Sequence, residues 1–273
     1  MLYHIAMERP PAVAGQFYPG SPAELDREVR RLTRDIPEKI PARGIIVPHA
    51  GYVYSGPVAG EVYSSVAIPD RLLVFCPNHT GSGAEAAVMA SGAWRMPWGA
   101  VPIEEDLAGR LLTASALLSE DASAHRREHS LEVQLPFLKR FRESFRFVPI
   151  ALGRLSLADC QRLGEEIAAV LRDDPSPPLL IASSDMTHYE ADAVAREKDR
   201  KAIARILSLD PEGLYRTVRS ERITMCGVIP ATVMLFAALS LGAREARLIK
   251  YATSGEVSGD YGQVVGYAGM AIL

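Results

Sequence analysis

Three apolar runs in this chain each lead directly to a histidine, and this recurrence constrains the fold more than any other feature. GIIVPHAGY carries His49, LLVFCPNHTG carries His79, and LLIASSDMTHY carries Asp185 and His188. Runs of β-branched and apolar residues bounded by Pro and Gly are typical of buried strands. In open α/β sheets, ligands bind outside the carboxyl ends of the strands, so neighbouring strands of this kind would share one site. The pattern predicts a metal or acid–base centre.

Strand and helix patterns alternate along the chain. The segment SPAELDREVRRL predicts a helix with Ser21 as N-cap, Pro22 at the first position and Glu24 at the third. Further helices are predicted at 57–66, 104–117, 130–143, 156–172, 190–208, 211–219 and 229–241, and strands at 44–48, 71–76, 86–91, 145–152, 178–183, 246–252 and 263–272. This alternation predicts an α/β fold with a mostly parallel central sheet flanked by helices.

The chain is predicted to form a single domain over residues 1–273. The strongest candidate linker is DDPSPP at 173–178, which lies between a predicted helix and a predicted strand. It is short enough to be an ordinary connection.

Charge and hydropathy bear on the partners and the location of the protein. The formal net charge is −3 and the sequence pI is near 6.1, which argues against nucleic acid and anionic membranes as partners. No apolar stretch reaches the roughly 18 residues of a spanning helix, and the N-terminal residues lack a signal-peptide pattern. We therefore expect a cytoplasmic protein.

Three cysteines are too few for a disulfide framework in a chain of this length. Cys76 lies in an apolar strand and Cys160 on the apolar face of a helix, so both are predicted core residues. Cys226 immediately precedes a helix expected to begin near Val228, and a helix N-terminus favours the thiolate that binds metal. The alternative for Cys226 is a small side chain that packs beside Gly227.

His49 and His79 are the leading candidates for metal ligands. The alternative for each is a turn histidine bonded to a carbonyl group, but two such residues on successive strands favour a shared role. If Cys226 joins them, two imidazoles and a thiolate suit Fe(II), Cu or Zn better than Mg or Ca.

The remaining histidines divide into one candidate and two surface residues. His129 precedes a predicted helix, which Ser130 can cap and in which Glu132 suits the positive end of the helix dipole. The alternative to a role in the site is therefore that His129 belongs to this polar cap. His4 and His125 lie in polar or terminal sequence, and we expect both on the surface.

Asp185 and His188 stand three residues apart in SSDMTHY. The carboxylate could orient a neighbouring imidazole or bind the substrate, and the alternative is that Asp185 caps the following helix. The two roles are compatible.

Seven motifs together resemble the MEMO family, in the same order and over nearly the whole chain. They are VAGQFYP, PHAGYVYSG, PNHTG, EHSLEVQLPF, SSDMTHY, MCG and YATSGEVSGDYGQVVGYA. Prokaryotic members of that family are called protein B of the AmmeMemoRadiSam system, after neighbours that include an AMMECR-type protein and a radical SAM enzyme. The resemblance implies a functional link to both.

The resemblance also implies a fold similar to class III extradiol dioxygenases, with a mononuclear non-haem iron at the strand ends. It implies that His49, His79 and Cys226 bind the metal, with Cys226 where ring-cleaving enzymes use a glutamate. His188 would be the catalytic acid–base histidine, His129 a second pocket histidine, and Asp185 a group near the ligands or facing the substrate. Because a thiolate replaces a carboxylate, ring cleavage does not carry over with the fold.

These observations favour a metalloprotein that performs a redox reaction on a small molecule or a modified protein residue. Fe(II) is the expected metal, with Cu or Zn as alternatives. One rival is a non-enzymatic module that binds a peptide or phosphopeptide. Another is a Zn-dependent hydrolase in which His188 or Asp185 is the general base.

Overall fold

A computed structural model describes residues 7–273, so His4 lies outside the described residues. The helices are α1 (Pro22–Leu32), α2 (Tyr52–Ser65), α3 (Glu105–Ala114), α4 (Leu135–Phe141), α5 (Leu157–Leu171), α6 (Asp192–Leu207), α7 (Pro211–Ser220), α8 (Val228–Ser240) and α9 (Gly255–Ser258), with 3-10 turns at Ser123–His125 and Glu132–Gln134. The strands are β1 (Glu8–Arg9), β2 (Gly44–Val47), β3 (Arg71–Pro77), β4 (Ala86–Val88), β5 (Ala93–Met96), β6 (Gly99–Pro102), β7 (Ser119–Glu120), β8 (Arg146–Leu152), β9 (Leu179–Ser183), β10 (His188–Glu190), β11 (Ala246–Thr253) and β12 (Val264–Ile272).

A nine-stranded mixed sheet with the order β10-β12-β2-β9-β3-β8-β4-β7 forms the centre of the fold, and β11 pairs with β12. Its middle strands β2, β9, β3 and β8 are parallel, whereas β12 and β4 join them antiparallel. A second sheet has the order β1-β5-β6. The α/β class is confirmed, with the parallel pairing concentrated where the apolar runs of the sequence lie.

Helices cover both faces of the middle strands, which is why these strands are continuously apolar. Alternate residues of β2 illustrate the arrangement: Ile46 packs in a cluster with α5 and α8, and Ile45 packs in a cluster with α2 and α4. Both side chains are fully buried. Cys76 and Cys160 are buried as predicted.

Most predicted elements are present with shifted ends. Helix α1 is confirmed with its cap, since the backbone N–H of Glu24 donates to Ser21 Oγ at 3.4 Å. Helix α2 begins at Tyr52, five residues before the predicted start, and carries Pro57 inside it. The predicted helix at 130–143 is a 3-10 turn followed by the short α4. The β5–β6 hairpin and β10 were not predicted, because short strands carry little periodic signal.

The register of the parallel strands sets the position of the site. Val47 of β2 pairs with Ser183 of β9, so the residues that follow each strand leave the sheet side by side.

Of the helices in residues 7–273, none combines the length and apolar character needed to cross a membrane.

Candidate metal centre

Three histidines meet at the carboxyl ends of the middle strands. One ring nitrogen from each of His49, His79 and His129 lies within 4.8 Å of the other two. The ring centroids are 5.3 Å apart for His49 and His79, 5.6 Å for His49 and His129, and 5.0 Å for His79 and His129. This cluster could hold a metal ion.

The tautomer of His49 follows from the proton count around Ser183. The Ser183 hydroxyl donates its one proton to the Ser130 carbonyl oxygen at 2.7 Å, and it accepts from Gln134 Nε2 at 2.9 Å. His49 Nδ1 lies 2.9 Å from the same oxygen and must therefore donate to it. Burial lowers the pKa of His49 well below its ordinary value. The neutral ring thus presents the Nε2 lone pair to the site.

A buried carboxylate holds His79 in the same way. The backbone N–H of His79 donates to Glu128 Oε2 at 2.7 Å, and its Nδ1 lies 3.0 Å from Glu128 Oε1. Burial alone would raise the pKa of Glu128, but bonds from His79 and Ser130 lower it to about 2, so it is an anion that only accepts. His79 Nδ1 therefore carries a proton, and Nε2 is left for a metal. Burial lowers the pKa of His79, but Glu128 raises it further, so the net shift is upward.

His129 follows Glu128 directly and completes the cluster. Its Nδ1 is 3.5 Å from Glu128 Oε1, and Phe17 packs edge-on against its ring with centroids 4.8 Å apart. Burial lowers the pKa of His129. The ring is therefore neutral at pH 7 and able to bind a metal or accept a proton.

Cys226 reaches the same site from the loop before α8. Its Sγ is 3.2 Å from His49 Nε2, and the backbone N–H of Asp185 donates to Sγ at 3.3 Å. Gly227 permits this approach, because a Cβ there would lie 2.4 Å from both the Ser183 carbonyl oxygen and Ser184 Cβ. Burial raises the pKa of the Cys226 thiol. Without a metal, the protonated Cys226 thiol can donate a hydrogen bond to the lone pair on His49 Nε2.

Asp185 and His188 are both near the cluster but are not bonded to each other as the spacing suggested. Asp185 Oδ1 accepts from the His49 backbone N–H at 2.7 Å, and burial raises the Asp185 pKa to about 6. His188 Nδ1 lies 3.0 Å from the Thr224 carbonyl oxygen, which can only accept. Thr224, rather than Asp185, therefore fixes the His188 tautomer, and His188 Nε2 is the free proton acceptor.

One sequence interpretation near the site is wrong. His125 is fully buried rather than on the surface; its Nε2 donates to the Ala87 carbonyl oxygen at 3.1 Å, and burial lowers its pKa to about 4. Glu132 is also fully buried, where it pairs with Arg9 and accepts from Tyr18 Oη at 2.6 Å. It lies in the first turn of the 3-10 helix, as its position in the sequence suggested, and it also anchors the N-terminal segment by accepting from the backbone N–H groups of Ala12 and Val13.

Glu128, Ser183 and Thr224 are the supporting residues that sequence reasoning missed. Glu128 had a signal, because it stands beside His129 in EHS and an acidic residue next to a histidine suits a carboxylate–imidazole pair. Thr224 had none. Its role depends on a contact with His188, 36 residues away in sequence.

A family model described as Memo-like protein matches residues 9–271. A MEMO1 family protein of Methanopyrus kandleri is 45% identical, covering 96% of this chain and 98% of its own length. One from Methanothermobacter thermautotrophicus is 40% identical, with 96% and 99% covered.

A solved structure of an uncharacterized protein from Escherichia coli K12 has a related fold. It aligns with a TM-score of 0.57 at 15% identity, covering 84% of this chain and 98% of that chain. At this identity the likeness concerns the fold alone. The extent of the family match and the identity of the archaeal relatives show that the chain belongs to the Memo-like family.

Proposed function

We propose that this protein is a mononuclear non-haem metalloprotein that performs a redox reaction on a small molecule or a modified protein residue, with Fe(II) as its metal. The observation that carries the proposal is the pair of imidazoles, His49 and His79, whose Nδ1 atoms are committed to Ser183 and Glu128. Both Nε2 atoms are therefore available to one ion.

The donor atoms present fit a metal. Two ligands at about 2.1 and 2.3 Å from one ion, at angles of 90–110°, are about 3.1–3.6 Å apart. The measured 3.2 Å between His49 Nε2 and Cys226 Sγ lies in this range. We propose His49, His79 and Cys226 as the ligands, and a bound Fe(II) would supply one-electron chemistry at open positions. His129 is the competing third ligand: among residues 7–273, the group whose donor atoms all lie within 4.8 Å of one another is His49, His79 and His129, and Cys226 is not part of it.

The remaining side chains would bind and move protons. His188 Nε2 can accept a proton because Nδ1 is committed to Thr224. His129, neutral beside the cluster, is a second acceptor. Asp185 accepts from the His49 backbone N–H, and burial raises its pKa to about 6, so it is a third group beside the cluster that can exchange a proton.

Metal content separates ligands from proton-transfer residues. Protein purified without oxygen should bind one Fe(II) per chain, and we expect His49→Ala to lose it while His188→Ala keeps it. Cys226→Ser and His129→Ala form the decisive pair: the first should lose the metal and the second retain it. The opposite result would replace the thiolate with a third histidine. No binding of Fe(II), Cu or Zn by the wild type would contradict the proposal.

A peptide-binding role is the second candidate, because an aromatic side chain lies exposed beside the site. Tyr189 is 74% exposed, adopts φ of 60°, and its ring centroid is 5.8 Å from that of His188. Such a backbone conformation is rare for an aromatic residue and is often retained for function. Peptide binding that persists in the metal-free protein and in Cys226→Ala would favour this candidate over the redox role.

A further inference from the structure

The opposite end of the central strands contains a cleft of about 840 Å³. It lies where β2, β3 and β9 begin and where α5 and α8 end. This volume is typical of small-molecule sites. The metal centre lies at the other ends of the same strands, so the cleft is a separate site.

Three arginines give the cleft its charge. Arg43, Arg142 and Arg172 line it, and within residues 7–273 none of the three forms an ion pair. Asp174 also lines it, but its carboxylate already accepts from Arg71 at 2.7 Å and from Arg110 at 3.1 Å. The carboxyl ends of α5 and α8 add roughly half a negative charge each. The balance stays positive.

The fold fixes the guanidinium group of Arg142 and the backbone of Arg43. Arg142 Nε and Nη2 both donate to the Ile68 carbonyl oxygen, at 3.0 and 2.6 Å, which fixes that group before a ligand arrives. The backbone of Arg43 is held in the sheet, since its N–H donates to Ile272 and its carbonyl accepts from Leu180. A guanidinium fixed like that of Arg142 binds a carboxylate or a phosphate with little loss of freedom.

The rest of the cleft wall is apolar. Its accessible part consists of Leu241 and the prolines at 41, 69 and 177, with the buried Ile68, Leu179 and Pro178 behind them. An inorganic anion would leave these surfaces in water, whereas an apolar chain would cover them.

We propose that this cleft binds an amphipathic organic anion, with a carboxylate or phosphate head on the arginines and a hydrocarbon body against the apolar wall. Binding is independent of the metal centre.

Calorimetric titration of the full chain tests the proposal, with decanoate, decyl phosphate, decanol and inorganic phosphate as probes. We expect decanoate or decyl phosphate to bind one per chain with Kd below about 1 mM. The double variant Arg43→Gln/Arg172→Gln should bind roughly tenfold or more weakly. Arg27→Gln, an exposed arginine on α1 outside the cleft, should bind like the wild type, and so should His49→Ala.

The Kd values of decanoate and decyl phosphate distinguish the head groups. Tighter binding of decyl phosphate supports a phosphate head, and equal binding supports any anionic head. The proposal is wrong if neither anion binds, or if decanol or inorganic phosphate binds as tightly as the charged amphiphiles. It is also wrong if the double variant binds like the wild type, or if His49→Ala abolishes binding, which would place the ligand at the metal centre.

Discussion

The two ends of the middle strands handle polar side chains in opposite ways. At the carboxyl end, His49, Glu128 and Asp185 are buried, and each is held by hydrogen bonds that set its protonation. At the amino end, Arg43 and Arg172 are exposed and belong to no ion pair among residues 7–273. Burial makes partners obligatory, whereas exposure lets water serve as the partner. The carboxyl end should therefore be rigid and sensitive to substitution, and the amino end tolerant.

Gly227→Ala should show the largest effect on stability. A Cβ would collide with the Ser183 backbone, which cannot move without disturbing β9. We expect a loss of about 3 kcal/mol in the free energy of unfolding, measured in urea, together with weaker metal binding. The control is Gly109→Ala in α3, where a Cβ meets nothing within 4 Å and should stabilise by about 0.5 kcal/mol. Equal stability of the two variants would mean that the start of α8 adjusts freely.

Glu128→Gln should weaken metal binding by roughly 10–100-fold, since the amide cannot replace the anion that fixes His79 Nδ1. Competition titration with a metal chelator gives the affinity. Glu120→Gln, on an exposed position of β7, is the matched control and should have the wild-type affinity. An unchanged affinity in Glu128→Gln would show that His79 is oriented by its own backbone alone.

Acid should destabilise the carboxyl end through His125, which lies in the turn leading to Glu128 and His129. The folded-state pKa of His125 is about 4, below its ordinary 6.5, so the unfolded chain takes up the proton first as the pH falls. Above pH 6.5 His125 is neutral in both states and does not affect the free energy of unfolding. As the pH falls from 6.5 toward 4, proton uptake by the unfolded chain lowers that free energy, by about 2 kcal/mol near pH 4.5. Urea unfolding of His125→Gln should show a smaller drop between pH 7 and 4.5 than the wild type. An identical drop would contradict burial of the neutral ring.

Arg43→Gln should have the smallest effect. Because the side chain is exposed, its free energy of unfolding should stay within about 0.5 kcal/mol of the wild type. Urea unfolding of Arg43→Gln and Gly227→Ala under the same conditions compares their free energies of unfolding directly. A loss of several kcal/mol would show that the amino end depends on its arginines for folding, and the difference between the two ends would disappear.

The apolar runs were sufficient to predict the α/β class, the strands β2, β3 and β9, and the meeting of His49 and His79 at one edge. Periodicity and strand-end position are local properties, so a single sequence reveals them. Assigning Cys226 to this site required the family resemblance, because 177 residues separate it from His49.

Only the tertiary structure decided which partner each imidazole has. The spacing in SSDMTHY allowed Asp185 to orient the His188 imidazole, but Thr224 is the partner of His188, and Asp185 instead holds the backbone of His49. His125 had the polar neighbours of a surface residue and is buried because β4 passes beside it. Hydrogen-bond partners and burial depend on contacts between segments distant in sequence, and local pattern does not encode them. The sequence determined which residues reach the edge of the sheet, and the packing of the strands and helices determined their protonation and therefore their chemistry.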